Sequence, residues 1–304
     1  MILCDTHADT LHALANCPAA ARDVTAEGLR QGGVSLQTLA LFIGGSAKIA
    51  DIRVNFERMQ ACWARLLQAG WRQAMDPREA RAGETKCMLS VEGCDLLIDG
   101  LEQLSVWRQA GVRMAALTWN YENCVAVPAS VDKNAPLKPL GREAVKEMQR
   151  LGIAPDTSHL NERGFFDLLE MGARPVASHS CCAALCGHRR NLTDDQLRAL
   201  FQAGGYVGVN FYPHFLRDDG KAALSDVCDH VMHMLEMGGE GMIGFGSDFD
   251  GIECKPAGLS GPQDFPRLLD ALRARGLSEE CLRGVAGENL LRYFDRIDPV
   301  KTEN

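Results

Sequence analysis

Eight short apolar runs, each followed by a turn and then a longer amphipathic stretch, constrain this chain more than any other feature of its sequence. They occupy residues 2–6, 34–42, 87–91, 114–118, 153–157, 175–178, 206–211 and 242–246. Their lengths suit buried strands, and their alternation with helical patterns is how parallel βα units appear in sequence. Helices are expected over residues 54–69, 101–110, 140–151, 162–171, 194–203 and 224–237, several opened by Asp, Ser or Thr and closed by Gly. Helix-stopping glycines precede several of the strands: Gly32-Gly33, Gly111, Gly152, Gly172, Gly204-Gly205 and Gly238-Gly239. A doubly wound open sheet shares this alternation. Eight units without a dinucleotide-type glycine loop favour a closed (β/α)8 barrel, an α/β fold. Residues 121–139, rich in Asn and Pro, read as a long functional loop behind the fourth strand.

No linker, repeat or low-complexity tract divides the chain, and 304 residues is ordinary for one such barrel, so a single domain, 1–304, is expected. The formal net charge of -8 is spread along the sequence and no basic stripe alternates with aromatics, which argues against a nucleic-acid partner. No segment reaches the ~18 apolar residues of a membrane span, and MILCDTHADT lacks the basic and apolar regions of an export signal. A soluble cytoplasmic protein is expected. Its 12 cysteines, irregularly spaced, then fit a reducing compartment better than a disulfide framework.

Barrel enzymes build their sites at the C-terminal ends of the strands. Here strand one ends in His7-Ala8-Asp9, strand three in Glu92, strand five in Ser158-His159, strand six in Ser178-His179, and strand eight in Asp248 followed by Asp250. His7 and Asp9, two apart on an extended segment, share a face and can see one metal ion. With Glu92, His159, His179 and Asp248 they form a set of imidazoles and carboxylates suited to zinc, with manganese or cobalt also compatible. Such a set exceeds one tetrahedral ion. It fits two ions about 3.5 Å apart, bridged by a carboxylate and sharing a water acidic enough to attack near neutral pH. Any one of these residues alone would more often be a hydrogen-bonded core group; their recurrence at strand ends in one register points to a metal centre. Elsewhere, His230 and His233 sit three apart on an expected helix without an HExxH-type carboxylate and read as a solvated face. Cys181, Cys182 and Cys186 read as packing residues, and Gly244 and Gly246 as close barrel packing.

Together these residues resemble the membrane dipeptidase family, the renal dipeptidases or M19 metallopeptidases. The resemblance runs nearly the whole chain through DTHADT, SVEG around Glu92, DTSHLNERGFFDLL, PVASHSCCAALCGHRRNLTDDQL, GGYVGVNFY, GFGSDFDG and GENLLRYF. It implies a TIM barrel of the metal-dependent hydrolase type, a two-zinc site, dipeptide hydrolysis and a homodimer. By position it makes His7 and Asp9 ligands of one zinc, Glu92 the bridge, and His159 and His179 ligands of the second. Asp248 becomes the acid/base that orients the bridging water and passes its proton to the leaving amine. Arg190, in HRRN, matches the arginine that grips the dipeptide's free carboxylate, a task suited to a planar bidentate guanidinium, while Arg189 reads as a surface cation.

One departure stands out in Leu117-Thr118-Trp119-Asn120. Animal members of the family place a histidine directly after Leu-Thr, where it steadies the substrate carbonyl oxygen. Trp119 offers one indole N–H and no charge at neutral pH. Asn120, Asn123 and Tyr212 are candidate substitutes, or Trp119 is the apolar wall of a pocket for a different ligand. The alternatives to a zinc dipeptidase are therefore an amidohydrolase acting on another small amide and a non-catalytic barrel that binds metal or peptide. An intact Asp248 speaks against the second.

Overall fold

The computed structural model describes residues 1–44 and 48–298. Eight parallel strands close into a barrel in chain order: β1 Cys4–Asp5, β2 Leu36–Phe42, β3 Lys86–Glu92, β4 Val112–Ala116, β5 Ala154–Asp156, β6 Val176–Ser180, β7 Tyr206–Val209 and β8 Ile243–Phe245. β1 completes the closure by pairing with both β2 and β8. Every expected run overlaps a strand. β4 lies two residues earlier than expected, because Leu117 and Thr118 leave the ladder as the chain turns into an irregular segment that lasts to Lys138.

The six expected helices are present as Ile49–Gln68, Glu102–Gln109, Pro139–Leu151, Glu162–Glu170, Asp194–Gln202 and Leu224–Glu236. Their ends follow local chemistry. The Asn161 side chain accepts the Gly164 N–H at 2.8 Å, Thr193 and Gln196 cap each other reciprocally, and Gly152, at φ 67°, closes its helix in the left-handed conformation. Thr10–Asn16, Ala26–Gly32, Phe265–Ala274, Glu279–Arg283 and Asn289–Ile297 are helices that the periodicity did not flag. No helix among the described residues is long and apolar enough to cross a membrane.

The two barrel ends differ. At the strand starts, Cys4, Leu36, Met88, Met114, Ala154, Val176 and Tyr206 pack with Leu290, Tyr293 and Phe294, so the helix Asn289–Ile297 covers that mouth. Beside it the fully buried Arg113 pairs with Asp76 and Asp298 and lies 4.9 Å from the Phe294 ring. Inside, a Cβ on Gly246 would stand 1.8 Å from the Ser178 carbonyl oxygen, and one on Gly244 2.0 Å from the Tyr206 hydroxyl. Both glycines are thus close-packing residues, as expected, and they leave the opposite mouth as the place where polar side chains gather.

His230 departs from expectation. It is fully buried, with Nδ1 accepting the Cys182 N–H at 3.0 Å and Nε2 3.1 Å from the Leu216 carbonyl oxygen. His233, half-buried, meets Asp194 at 2.8 Å. The face is packed, not solvated. The 12 cysteines are all unpaired, and Cys181, Cys182 and Cys186 are buried.

Candidate metal centre

The strand ends bring all six expected ligands to one mouth. His7 Nε2 lies 3.6 Å from Glu92 Oε2, 3.7 Å from Asp248 Oδ1 and 3.9 Å from Asp9 Oδ2. The other oxygen of the same glutamate, Oε1, lies 2.9 Å from His159 Nε2 and 3.6 Å from His179 Nε2, and the two Nε2 atoms are 3.1 Å apart. Glu92 therefore stands between two groups and turns one oxygen to each. The potential ligand atoms of His7, Glu92 and His179 lie within 4.8 Å of one another, as do those of His7, Asp9 and Asp248.

The electrostatics fit a cation. His7 Nε2, Asp9 Oδ1 and Glu92 Oε2 are buried without a hydrogen-bond partner, each an unsatisfied group costing about 1–3 kcal/mol. Burial pushes the Glu92 carboxyl well above the usual range, with His7 opposing, and raises Asp248 to about 6. Burial alone would lower His7, yet Glu92, Asp9 and Asp248 drive it up to about 10. Crowded carboxylates are thus seeking positive charge. His159 and His179 are held well below the ordinary histidine value, chiefly by burial, and so present the neutral imidazole that a metal needs. Beneath the cluster, a Cβ on Gly251 would sit 2.4 Å from Asp9 Oδ2 and 2.6 Å from Asp248 Oδ1, so only glycine lets the backbone approach there.

Several supporting residues were not picked out in sequence. Asn210 Nδ2 donates to Asp248 Oδ2 at 2.9 Å, leaving Oδ1 toward His7. The buried carboxylates of Asp5 and Asp156 bond to the serines that precede Asp248 and His179. The signal available for them was the repeated Asp-Thr ahead of a ligand, in DTH and DTSH.

A cavity of about 710 Å³ opens on the centre. Glu92, His159, Arg190 and Asp248 line it beside Phe42, Trp119, Tyr212 and Phe215. Arg190 is buried, whereas Arg189 is exposed. The Arg190 guanidinium lies 5.4 Å from the Phe215 ring, its Nη2 makes one long bond of 3.4 Å to the His179 carbonyl, and its Nε has no partner. Trp119 stands edge-on to Phe42 at 4.9 Å and 6.0 Å from the His159 ring. The Asn120 Oδ1 is 3.1 Å from His159 Nδ1, the Tyr212 hydroxyl donates to Glu253, and Asn123 is engaged on both sides by Leu117, Asp95, Val125 and Ala126. Asn123 thus braces its loop.

A family model described as membrane dipeptidase, peptidase family M19, matches residues 1–304. An uncharacterised dipeptidase of Schizosaccharomyces pombe is 36% identical over 226 residues, which is 72% of this chain and 54% of that protein. The match thus spans about half the length of the curated relative. The crystal structure of dipeptidase AC, a metallopeptidase of family M19, superposes with a TM-score of 0.89 at 25% identity over 97% of this chain and 98% of that one. A metallopeptidase of Rhodobacter sphaeroides, solved with a phosphinate mimic of L-Ala-D-Ala, shares the fold at a TM-score of 0.89 and 24% identity, covering 98% of this chain and 99% of its own.

Proposed function

This chain belongs to peptidase family M19, the membrane dipeptidases, and from that premise we propose that it is a zinc-dependent dipeptidase. The observation that carries the reading is Glu92 turning one oxygen to each of two groups, with Arg190, whose Nε has no partner, lining the same cavity. His7 and Asp9 would hold one ion, His159 and His179 the other, and Glu92 both. Zinc so held would supply the Lewis acidity to polarise a peptide carbonyl and to activate a water near neutral pH.

The protein's own groups do the rest. Arg190 takes the substrate carboxylate through paired N–H donors and so sets which amide faces the centre. Asp248, with Oδ2 held by Asn210, keeps Oδ1 free to accept the proton of the attacking water and return it to the departing amine. Phe42 and Trp119 form an apolar wall beside the scissile bond. The products are two free amino acids, and the small-molecule partner is a dipeptide. Residues 1–304 acting as one domain, a homodimer and a cytoplasmic location complete the proposal.

One observation favours a second reading, hydrolysis of another small amide: the Tyr212 proton is committed to Glu253, while Trp119 follows Leu117-Thr118 where the resemblance to animal members implies a histidine. The deciding experiment measures zinc content and turnover on one purified sample against L,L and L,D dipeptides and their C-terminal amides. A zinc-loaded protein that cleaves none of the dipeptides ends the dipeptidase reading. Equal turnover of acids and amides selects the second.

A further inference from the structure

Two buried aspartates occupy matching places in the barrel. Asp5 ends β1 two residues before His7, and Asp156 ends β5 three residues before His159. Neither carboxylate joins the ligand cluster. Each is spent instead on a ligand-bearing segment beside its own strand, the end of β8 for Asp5 and of β6 for Asp156. Asp5 Oδ1 accepts the Ser247 N–H at 2.8 Å and Oδ2 accepts the Ser247 hydroxyl at 2.6 Å. Asp156 Oδ1 accepts the Ser178 N–H at 3.0 Å, and Oδ2 accepts the Ser178 hydroxyl. Each also takes an amide from its own ligand segment, His7 N–H at 3.4 Å for Asp5 and Ser158 N–H at 2.9 Å for Asp156. The same arrangement thus occurs twice, and each time the clamped serine directly precedes a proposed ligand or catalytic acid, Asp248 or His179.

The serine hydroxyls extend both clamps. With its proton given to Asp156, Ser178 Oγ accepts from His179 Nδ1–H at 2.8 Å, which fixes the tautomer that leaves Nε2 unprotonated toward Glu92. With its proton given to Asp5, Ser247 Oγ accepts the Phe249 N–H at 3.2 Å and so spans Asp248. Only a carboxylate suits these positions, because every group aimed at it is a donor; Gln37 Nε2 adds one more to Asp5 at 2.9 Å.

We propose that Asp5 and Asp156 are positioning residues that each set one half of the metal centre: Asp156, through Ser178, the His159 and His179 half, and Asp5, through Ser247, the His7 and Asp248 half. The proposal rests on the metal-centre reading above. Its consequence is selective: breaking one clamp weakens one ion and spares the other.

The mildest probes are Ser178→Ala and Ser247→Ala, which remove a hydroxyl and keep the amide bonds. Zinc-loaded wild type and variants are challenged with graded chelator. Retained zinc is read per chain, and imidazole ¹H–¹⁵N shifts of His7, His159 and His179 report which ion leaves. Ser178→Ala should release the ion at His159 and His179 with affinity lowered about 10- to 100-fold while the His7 signal holds, and Ser247→Ala should do the reverse. Asp156→Asn and Asp5→Asn should act in the same directions more strongly, with circular dichroism confirming that each variant is folded. Variants that lose both ions together, or neither sooner than wild type, overturn the proposal although the metal reading stands. A folded wild type that retains no zinc overturns both.

Discussion

Replacing Arg190 with Met should abolish recognition of the substrate carboxylate while leaving the barrel folded. The side chain is 7% exposed. Its own partners are few: one 3.4 Å bond to a carbonyl, the face of Phe215, and an Nε with none. Burial lowers its pKa to about 10, with Glu92 and Asp248 opposing, so it stays charged at neutral pH. A methionine stem keeps the contact with Phe215 and relieves a desolvated charge, so stability should hold. The loss falls on substrate. Two charge-assisted hydrogen bonds at about 1.5–3 kcal/mol each amount to about 3–6 kcal/mol. At about 1.4 kcal/mol per decade that is a fall of about 100- to 10,000-fold in kcat/KM. The assay compares a dipeptide with its C-terminal amide on wild type and variant, beside thermal unfolding. The amide should change only a few-fold, because it lacks the carboxylate that Arg190 is proposed to grip. Unchanged dipeptide turnover would refute the anchor, and an equal fall for the amide would show that Arg190 acts on the centre itself.

Asp248→Asn should lower kcat about 100- to 10,000-fold with zinc content unchanged; zinc lost with turnover would make Asp248 a ligand first. Trp119→Ala should cost substrates with a bulky apolar side chain about 10-fold or more in kcat/KM relative to glycine-containing ones, and an equal fall for both would place Trp119 in the chemistry instead of the wall. At the far mouth, burial alone would raise the Asp76 carboxyl, but hydrogen bonds from Arg78 and the charges of Arg113 and Arg78 hold it well below the usual range. A folded pKa below the unfolded one means that this stabilisation is complete above the unfolded value of about 4 and is lost as pH falls through the folded one. Asp76→Asn should therefore be less stable at neutral pH, by about 2 kcal/mol once solvent screening of this partly exposed carboxyl is allowed for, and approach wild type in strong acid, which denaturant titrations at the two pH values will check.

The strands were legible because parallel barrel strands are buried on both faces and read as largely apolar runs; every residue of β2 is buried, Gln37 and Thr38 included. The helices that escaped notice are short or awkwardly opened. Thr10–Asn16 is seven residues long, with no side-chain cap and no acid in its first turn, so no periodic signal accumulates. Phe265–Ala274 begins behind Pro262 and carries a second proline in its first turn, which reads as loop. His230 was misread because both its nitrogens are satisfied by backbone atoms 48 and 14 residues away, contacts that helical periodicity does not encode. The residue types of the proposed ligands were visible because they stand at strand ends; the outer partners were not, since Asn210 meets Asp248 from a neighbouring strand end.

The backbone at those strand ends explains why so much hydrogen bonding surrounds so few ligands. Among the described residues, the non-glycine positions with positive φ are His159 at 70°, Asp248 at 64° and Asp250 at 65°. A left-handed residue with a Cβ costs about 1–2 kcal/mol. Glycine would relax each turn and delete the group that the site requires, so the strain must be held in place from outside. Asp250 is held by Asp23, whose N–H it accepts at 2.7 Å and whose carboxylate takes its own N–H at 3.1 Å, with Lys255 fixing Asp23 in turn. Asp248 is spanned by the Ser247 hydroxyl under Asp5, and the segment entering His159 is pinned through Ser158 by Asp156. Each strained turn is thus tied to an aspartate carboxylate, buried for Asp5 and Asp156 and half-buried for Asp23. Asp5 and Asp156 would thus do two things at once: aim a group of the proposed centre, and keep the backbone from relaxing away from the geometry in which that group faces its partners.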